Sequence, residues 1–314
     1  ALKPILQALD KCDPAAVLAA SASLSQQDKR YTPLCQRYRA GALRDLGRHD
    51  ELEALLSGIL ADRATPWAYV ALGSLLQARG QLPRAREVYE QGLLSFAMMP
   101  GLYDGLAAVQ LAQGDSAQAQ QVLEDAIKLS PLAIRRQMEL GKLALDNHDF
   151  GTAARAYRQA MEQGRTSMFK SPDNYLCLAQ ALTAQAGEGS LDKRVQADIN
   201  QTLGELQKSY SDDPQVQVRA RLTHAQSLLK SAEPALAKQL TDEALSQLGE
   251  LQQLCSAAVS LQMASQLREL GHADASDALL QVSNQIKSIE QWWMDEMVKQ
   301  PGFEPGDAVP MPPG

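Results

Sequence analysis

An all-α chain is what this sequence predicts, and three observations carry the prediction. Ala, Leu, Gln, Glu, Lys and Arg dominate, the residue types that lose least on entering a helix, while aromatics make up only 5% of the 314 residues. No Val/Ile/Thr-rich segment alternates as a strand would. Six dipeptides place a cap-forming residue before proline: Asp13-Pro14, Thr32-Pro33, Thr65-Pro66, Ser130-Pro131, Ser171-Pro172 and Asp213-Pro214. A cap oxygen accepts an orphan helix N–H, and Pro suits the first turn because it has no N–H to leave unpaired.

Charge and composition narrow the function classes. The net charge is −7 and the pI about 5.2. Nucleic-acid binding needs a positive stripe to release counterions. Here the basic residues come at most in pairs such as Arg135–Arg136 and Lys193–Arg194, which read as solvated helix faces. No nucleic-acid partner is expected. No apolar run approaches the ~18–20 residues of a bilayer span, and no basic-then-apolar segment opens the chain. A cytoplasmic location without a membrane span is the expectation. The four cysteines, at 12, 35, 177 and 255, form no C-x-x-C pair and have no His at metal-site spacing. Cys35 and Cys177 fall in apolar helical patterns, where a reduced thiol packs as a small hydrophobe.

The caps at Thr32, Thr65 and Ser130 lie 33 and 65 residues apart, which suggests a repeat. Three segments align on it: ALGSLLQARGQLPRAREVYEQG (71–92), LAAVQLAQGDSAQAQQVLEDA (106–126) and LGKLALDNHDFGTAARAYRQA (140–160). In each, a helix ends, a short turn follows and a second helix starts. Gly80, Gly114 and His148 stand at the same turn position, 34 residues apart. On the first helices Tyr69, Tyr103 and Gln137 align, then Leu72, Leu106 and Leu140, then Gly73, Ala107 and Gly141. On the second helices Ala85, Ala119 and Ala153 align, then Tyr89, Leu123 and Tyr157, then Gly92, Ala126 and Ala160. Small residues belong where helices cross closely, and large ones fill the space between helices and units.

These positions resemble the tetratricopeptide repeat (TPR), whose signature is an aromatic, Leu-Gly, an aromatic, Ala, an aromatic and Pro over about 34 residues. The resemblance implies a right-handed α-α superhelix, a solenoid of helical hairpins. Residues 1–32 read as N-terminal capping helices and 33–186 as TPR hairpins, clearest over 66–165. The first hairpin, 33–61, is degenerate but keeps the turn DLGRHDELEA (45–54). Another first helix opens with SPDNYLCLAQALTAQ (171–185), with Tyr175, Leu178, Ala179 and Leu182 in first-helix positions. The loop RTSMFK (165–170) lengthens the link into it, and AGEGSLDK (186–193) interrupts it before a partner near 193–210. Helices are expected over 215–230, 234–250, 251–270 and 273–289, so that 187–290 continues as divergent hairpins, a separate bundle being the alternative. IKSIEQWWMDEMVK (286–299) reads as a short terminal helix. Its Trp292 and Trp293 cap the last hydrophobic face or anchor a partner. The Pro/Gly-rich tail, 301–314 within a final segment of 291–314, is expected to be disordered.

No phosphate loop, G-x-S-x-G or H-E-x-x-H occurs. DNHDFGTAARAY (146–157) packs His148 between Asp146 and Asp149, a pairing that could serve a metal or acid/base chemistry. Yet His49, His148 and His272 all fall in inter-helix turns, each near an Asp, and equivalent turns of a repeat stack lie apart and do not converge on one ion. The expectation is no enzyme, no catalytic residue, no metal and no cofactor. His148 instead occupies a position that wants a left-handed backbone, which His tolerates less well than Gly.

In the repeat family the first helix of each hairpin lines a concave groove that contacts protein ligands. Carried over by register, the groove positions are Trp67, Val70, Ser74 and Gln77, then Asp104, Ala108 and Leu111, then Arg135, Met138, Lys142 and Leu145, then Asp173, Cys177 and Gln180. Trp67 is the foremost candidate anchor, if it does not pack against the preceding hairpin. Arg135, Met138 and Lys142 form a basic-apolar strip suited to an acidic or amphipathic peptide. The chaperone-tail clamp of this family wants Lys and Asn where Val70 and Ser74 stand, so such a tail is not the expected ligand. The oligomeric state is left open, with room for a homodimer.

Two stretches, 129–182 and 2–20, further resemble the helical output region of bacterial response regulators that join a receiver to TPR hairpins. The RRQ-x-x-LG run and the RTSMFKSPDNY link carry this. The resemblance implies an adaptor of two-component signalling that binds a protein partner, with a receiver upstream of Ala1. The alternative is a scaffold or assembly factor of a bacterial envelope or secretion apparatus, which expects a signal peptide or lipoprotein cysteine there.

Overall fold

The computed structural model describes residues 1–298 other than 169, 188, 232 and 252–255, and their side chains other than those of 249–251, 289–290 and 292–298. The tail 301–314 and the Trp292 and Trp293 side chains, singled out above, lie outside the described residues. Within them the chain is all-α, sixteen helices without a strand. It divides into two compact units, Ala1–Ser130 and Pro131–Gly314.

The first unit holds α1 (Lys3–Asp10), α2 (Pro14–Gln27), a 3-10 turn Lys29–Tyr31, α3 (Thr32–Asp45), α4 (His49–Asp62), α5 (Pro66–Ala78), α6 (Leu82–Ser95), α7 (Pro100–Ala112) and α8 (Ser116–Leu129). Neighbours in sequence pack as hairpins, and α5 also touches α7. The second unit holds α9 (Ile134–Asp146), α10 (Phe150–Gly164), α11 (Pro172–Ala184), α12 (Lys193–Ser209), α13 (Pro214–Lys230), α14 (Pro234–Leu251), α15 (Ala257–Glu269) and α16 (Ala273–Val298). Here α9, α11, α13 and α15 form a row in which each touches the next.

The turns inside the hairpins share one construction. Gly47, Gly80, Gly114, His148 and Gly271 all have left-handed backbones, with φ between +59° and +88°. The following N–H reaches back to close the helix: Gln81 to the Leu76 carbonyl at 2.9 Å, Asp115 to Gln110 at 2.9 Å and Asp149 to Ala144 at 2.8 Å. This Schellman closure satisfies carbonyls that the helix end leaves orphaned. Cys12, with φ +52°, closes α1 in the same way through Asp13 N–H to the Ala8 carbonyl at 3.0 Å.

Three of the six expected caps form. Asp13 accepts from Ala16 N–H at 2.9 Å, Ser171 from Asp173 N–H at 3.2 Å, and Asp213 from Gln215 and Val216 N–H at 3.0 and 3.2 Å. Thr65 holds the cap position of α5, but its hydroxyl donates to the Arg63 carbonyl instead. Thr32 and Ser130 are corrections. Thr32 already lies inside α3, behind Tyr31. Ser130 closes α8, donating to the Ala126 carbonyl, and α9 starts only at Ile134. Two boundaries also move. The helix expected from 251 begins at Ala257, and the separate terminal helix is part of α16, which runs unbroken to Val298.

Packing follows the repeat register. Leu72, Ala85, Tyr89, Leu106, Ala107, Ala119, Leu140, Ala153, Tyr157 and Tyr175 are all buried, as are Gly73 and Gly141. A Cβ on Gly73 would stand 2.5 Å from the Tyr89 ring, and one on Gly141 would stand 2.6 Å from the Tyr157 ring. Tyr69 differs. It is half-buried, its ring tilted against Phe96 with centroids 6.3 Å apart.

Candidate functional site

His148 sits in the left-handed turn that closes α9. Its neighbour Asp149 caps α10 through Thr152 N–H at 3.1 Å, and the His148 ring meets the Phe150 ring edge-on. Among the described residues no group of three or more His, Cys, Asp or Glu side chains is placed to hold a metal ion. Nor is any helix among them long and apolar enough to cross a membrane.

In the first unit the groove positions are mostly engaged. Trp67 is half-buried against the core, and the Arg37 guanidinium lies 6.0 Å from its ring centroid. The preceding hairpin thus covers part of the expected anchor. Val70 is half-buried and Asp104 partly so. Ser74 is exposed and shares a 3.2 Å hydrogen bond with the Tyr89 hydroxyl. Leu111 is 52% exposed, and Ala108 is exposed as well.

In the second unit the strip Arg135, Met138 and Lys142 splits by role. Arg135 is exposed and pairs with Glu139 one turn along its own helix at 2.9 Å. Met138 packs on the core, and Lys142 is exposed. Asp173 is committed to Arg219 on α13 at 2.6 Å. Arg219, only 9% exposed, also donates to Gln262 Oε1 on α15 at 2.9 Å. Cys177 sits against Tyr157, whose hydroxyl acts on its thiol. Burial, then the nearby Asp173 charge, pushes the Cys177 thiol up to about 11, so it stays protonated and unreactive at neutral pH. The same burial raises Tyr157 well above the ordinary phenol range. Cys35 is likewise raised by burial. Cys12 is exposed.

The side chains that sequence reasoning missed lie further along the same row. Gln266 Nε2 donates to Thr223 Oγ1 at 3.0 Å and to Gln226 Oε1 at 2.9 Å, and Gln226 donates on to Glu269 at 2.5 Å. Together with Gln180, Thr183, Gln262 and Ser265 they line a cleft of about 690 Å³ on α9, α11, α13 and α15. Lys230 and Gly187 also line it, the Lys230 Nζ donating to the Gly187 carbonyl at 2.6 Å. A signal was present: Arg219 interrupts the otherwise apolar face of Val216, Ala220 and Leu222, so a buried charge there needed a partner from another helix.

No protein-family model matches the sequence, and no curated protein matches it. Among solved structures, the chain is similar to the C-terminal part of a TPR repeat-containing protein from Cytophaga hutchinsonii. The identity is 17% and the TM-score 0.55, over 79% of this chain and 99% of that one. It is also similar to a tetratricopeptide repeat protein from Parabacteroides merdae, at 10% identity and a TM-score of 0.50, over 87% of this chain and 97% of that one. At such identities the likeness is one of fold: helical hairpins in tetratricopeptide-type repeats.

Proposed function

We propose that this chain, a fold of tetratricopeptide-type hairpins, is a non-catalytic protein-interaction module without a cofactor, and that its second unit holds an extended peptide. The cleft on α9, α11, α13 and α15 carries this reading. Its volume of about 690 Å³ is within the range of ligand sites. Its lining is rich in amides and hydroxyls, which donate and accept. An extended peptide offers one N–H and one C=O per residue, so such a lining matches a main chain whatever its sequence. On this reading Arg135, Met138, Lys142 and Asp173 flank or brace the bound segment, and Trp67, Val70, Ser74 and Asp104 form the corresponding face of the first unit.

The resemblance of 2–20 and 129–182 to receiver-linked repeats supports a cytoplasmic adaptor role, the output half of a two-component regulator. A scaffold role in an envelope or secretion apparatus rests on the same binding chemistry. The sequence preceding Ala1 in the native gene separates the two, by a receiver or by a signal peptide.

The binding claim has its own test. Peptides selected from a random display library are titrated against wild type and the double variant Gln180→Ala/Gln262→Ala. Loss of two or more charge-free hydrogen bonds should weaken binding about tenfold. Equal affinity for both proteins, with helicity unchanged, would overturn the assignment of the cleft.

A further inference from the structure

We infer a second site, independent of the cleft: a basic pocket that binds a phosphate monoester. Arg165, Lys170, Tyr175, Glu205, Lys208 and Ser209 line a cavity of about 300 Å³. They come from the end of α10, the link before α11, the first turns of α11 and the last turn of α12. No two of the three cations are adjacent in sequence, so the cluster exists only in the folded unit.

The charge balance specifies the ligand. Glu205 pairs with Arg165, which leaves the two ammonium groups. Among the described residues no carboxylate lies in ion-pair range of Lys170 or Lys208, although the whole chain carries −7. Asp173 pairs with Arg219, Asp213 accepts from the first N–H groups of α13, and Asp212 accepts from the Ser211 hydroxyl. Lys170 is held with its Nζ 5.3 Å from the Tyr210 ring centroid, a cation–π contact that limits where it can swing. Two unpaired ammonium groups beside the Ser209 hydroxyl match an oxyanion of close to two negative charges with several acceptor oxygens. A phosphate monoester is that group at neutral pH, whereas a carboxylate brings one charge and two oxygens. The cavity has room for the phosphate and the stem that carries it, either a phosphorylated side chain or a free ester.

Calorimetric titration of the full chain tests this with four probes: inorganic phosphate, a phosphoserine peptide, its unphosphorylated form, and the same peptide with Glu in place of phosphoserine. At least one phosphate probe should bind about tenfold or more tightly than the last two, and Lys170→Gln or Lys208→Gln should each lower that affinity about tenfold. Both lysines are exposed, so helicity should not change. Ser209→Glu, which brings a carboxylate to the rim, should abolish binding, while Lys193→Gln, outside the pocket, should leave it intact. A preference for the phosphopeptide marks a phosphorylated side chain as the source. Equal binding of inorganic phosphate marks recognition of the phosphate group without a peptide, as a free ester would present it. Binding of neither, equal binding of the unphosphorylated peptide, or indifference to both lysine substitutions would overturn the proposal.

Discussion

Tyr89 in the first unit and Tyr157 in the second hold the same position in their hairpins, yet their slots are built differently. Tyr89 is wedged between Gly73 and Gly105, where added Cβ atoms would stand 2.5 and 2.2 Å from its ring, and its hydroxyl reaches Ser74. Tyr157 has Gly141 on one side. On the other, two residues past the aromatic of the next first helix, stands Cys177 where the first unit has Gly105. Its thiol lies by the Tyr157 hydroxyl. Ser74 has Lys142 as its counterpart, and Tyr157 turns to the next helix for its partner. One ring, set by the repeat, is thus satisfied within its own hairpin in one unit and across hairpins in the other. The repeat dictates that a slot exists, and the neighbouring helix dictates its polarity.

The glycines break this comparison most directly. Gly73→Leu and Gly141→Leu should each cost about 1–3 kcal/mol by overpacking, and Gly105→Ala should join them, because a ring buried on both sides cannot swing away. Gly58→Ala and Gly204→Ala meet nothing within 4 Å and should gain about 0.5–1 kcal/mol. Denaturant midpoints separate the two groups. Wild-type stability in Gly73→Leu would contradict the slot.

A smaller effect sharpens the comparison at the turns. Gly114 and His148 close equivalent helices in left-handed backbones, φ +88° and +59°. A side chain there costs energy that Gly does not incur, so His148→Gly should stabilise the chain by about 0.5–1 kcal/mol after the flexibility Gly adds to the unfolded state. It should leave peptide binding unchanged. A large loss of binding in that variant would return His148 to the list of functional residues.

The smallest effect is acid sensitivity in the second unit. Burial lowers His224 from its ordinary 6.5, and its Nε2 meets Asn200 Oδ1 at 2.9 Å. The unfolded chain therefore takes up the proton first. Stability is full above about pH 6.5 and falls as the pH drops below it. His224→Gln should flatten that slope in pH-dependent melting, and an identical slope would remove His224 as its cause.

Much of this fold was legible because its signals are local and recur. Gly80, Gly114 and His148 could be matched by spacing alone, and the left-handed turn at His148 follows from that match. Ser130-Pro131 misled for the same reason. A cap-and-proline pair is a local signal, but here the Pro131 carbonyl serves Gln137 and Gln163 at 3.3 and 2.9 Å, and the helix waits for Ile134. Trp67 could not be settled from sequence, because what covers it, Arg37, belongs to another hairpin.

The sequence by itself determined the class, the helical hairpins, the small residues at their crossings and the turn that closes them. Backbone hydrogen bonds a few residues apart and a 34-residue period express these without reference to the rest of the chain. Only the tertiary structure decided that Asp173 answers Arg219, 46 residues on, that Gln266 reaches Thr223, and that Arg165, Lys170 and Lys208 converge on one cavity. Such polar groups have no periodicity to announce them. Their partners are chosen by which helices pack side by side, and by the cost of leaving a charge or amide unpaired once they do.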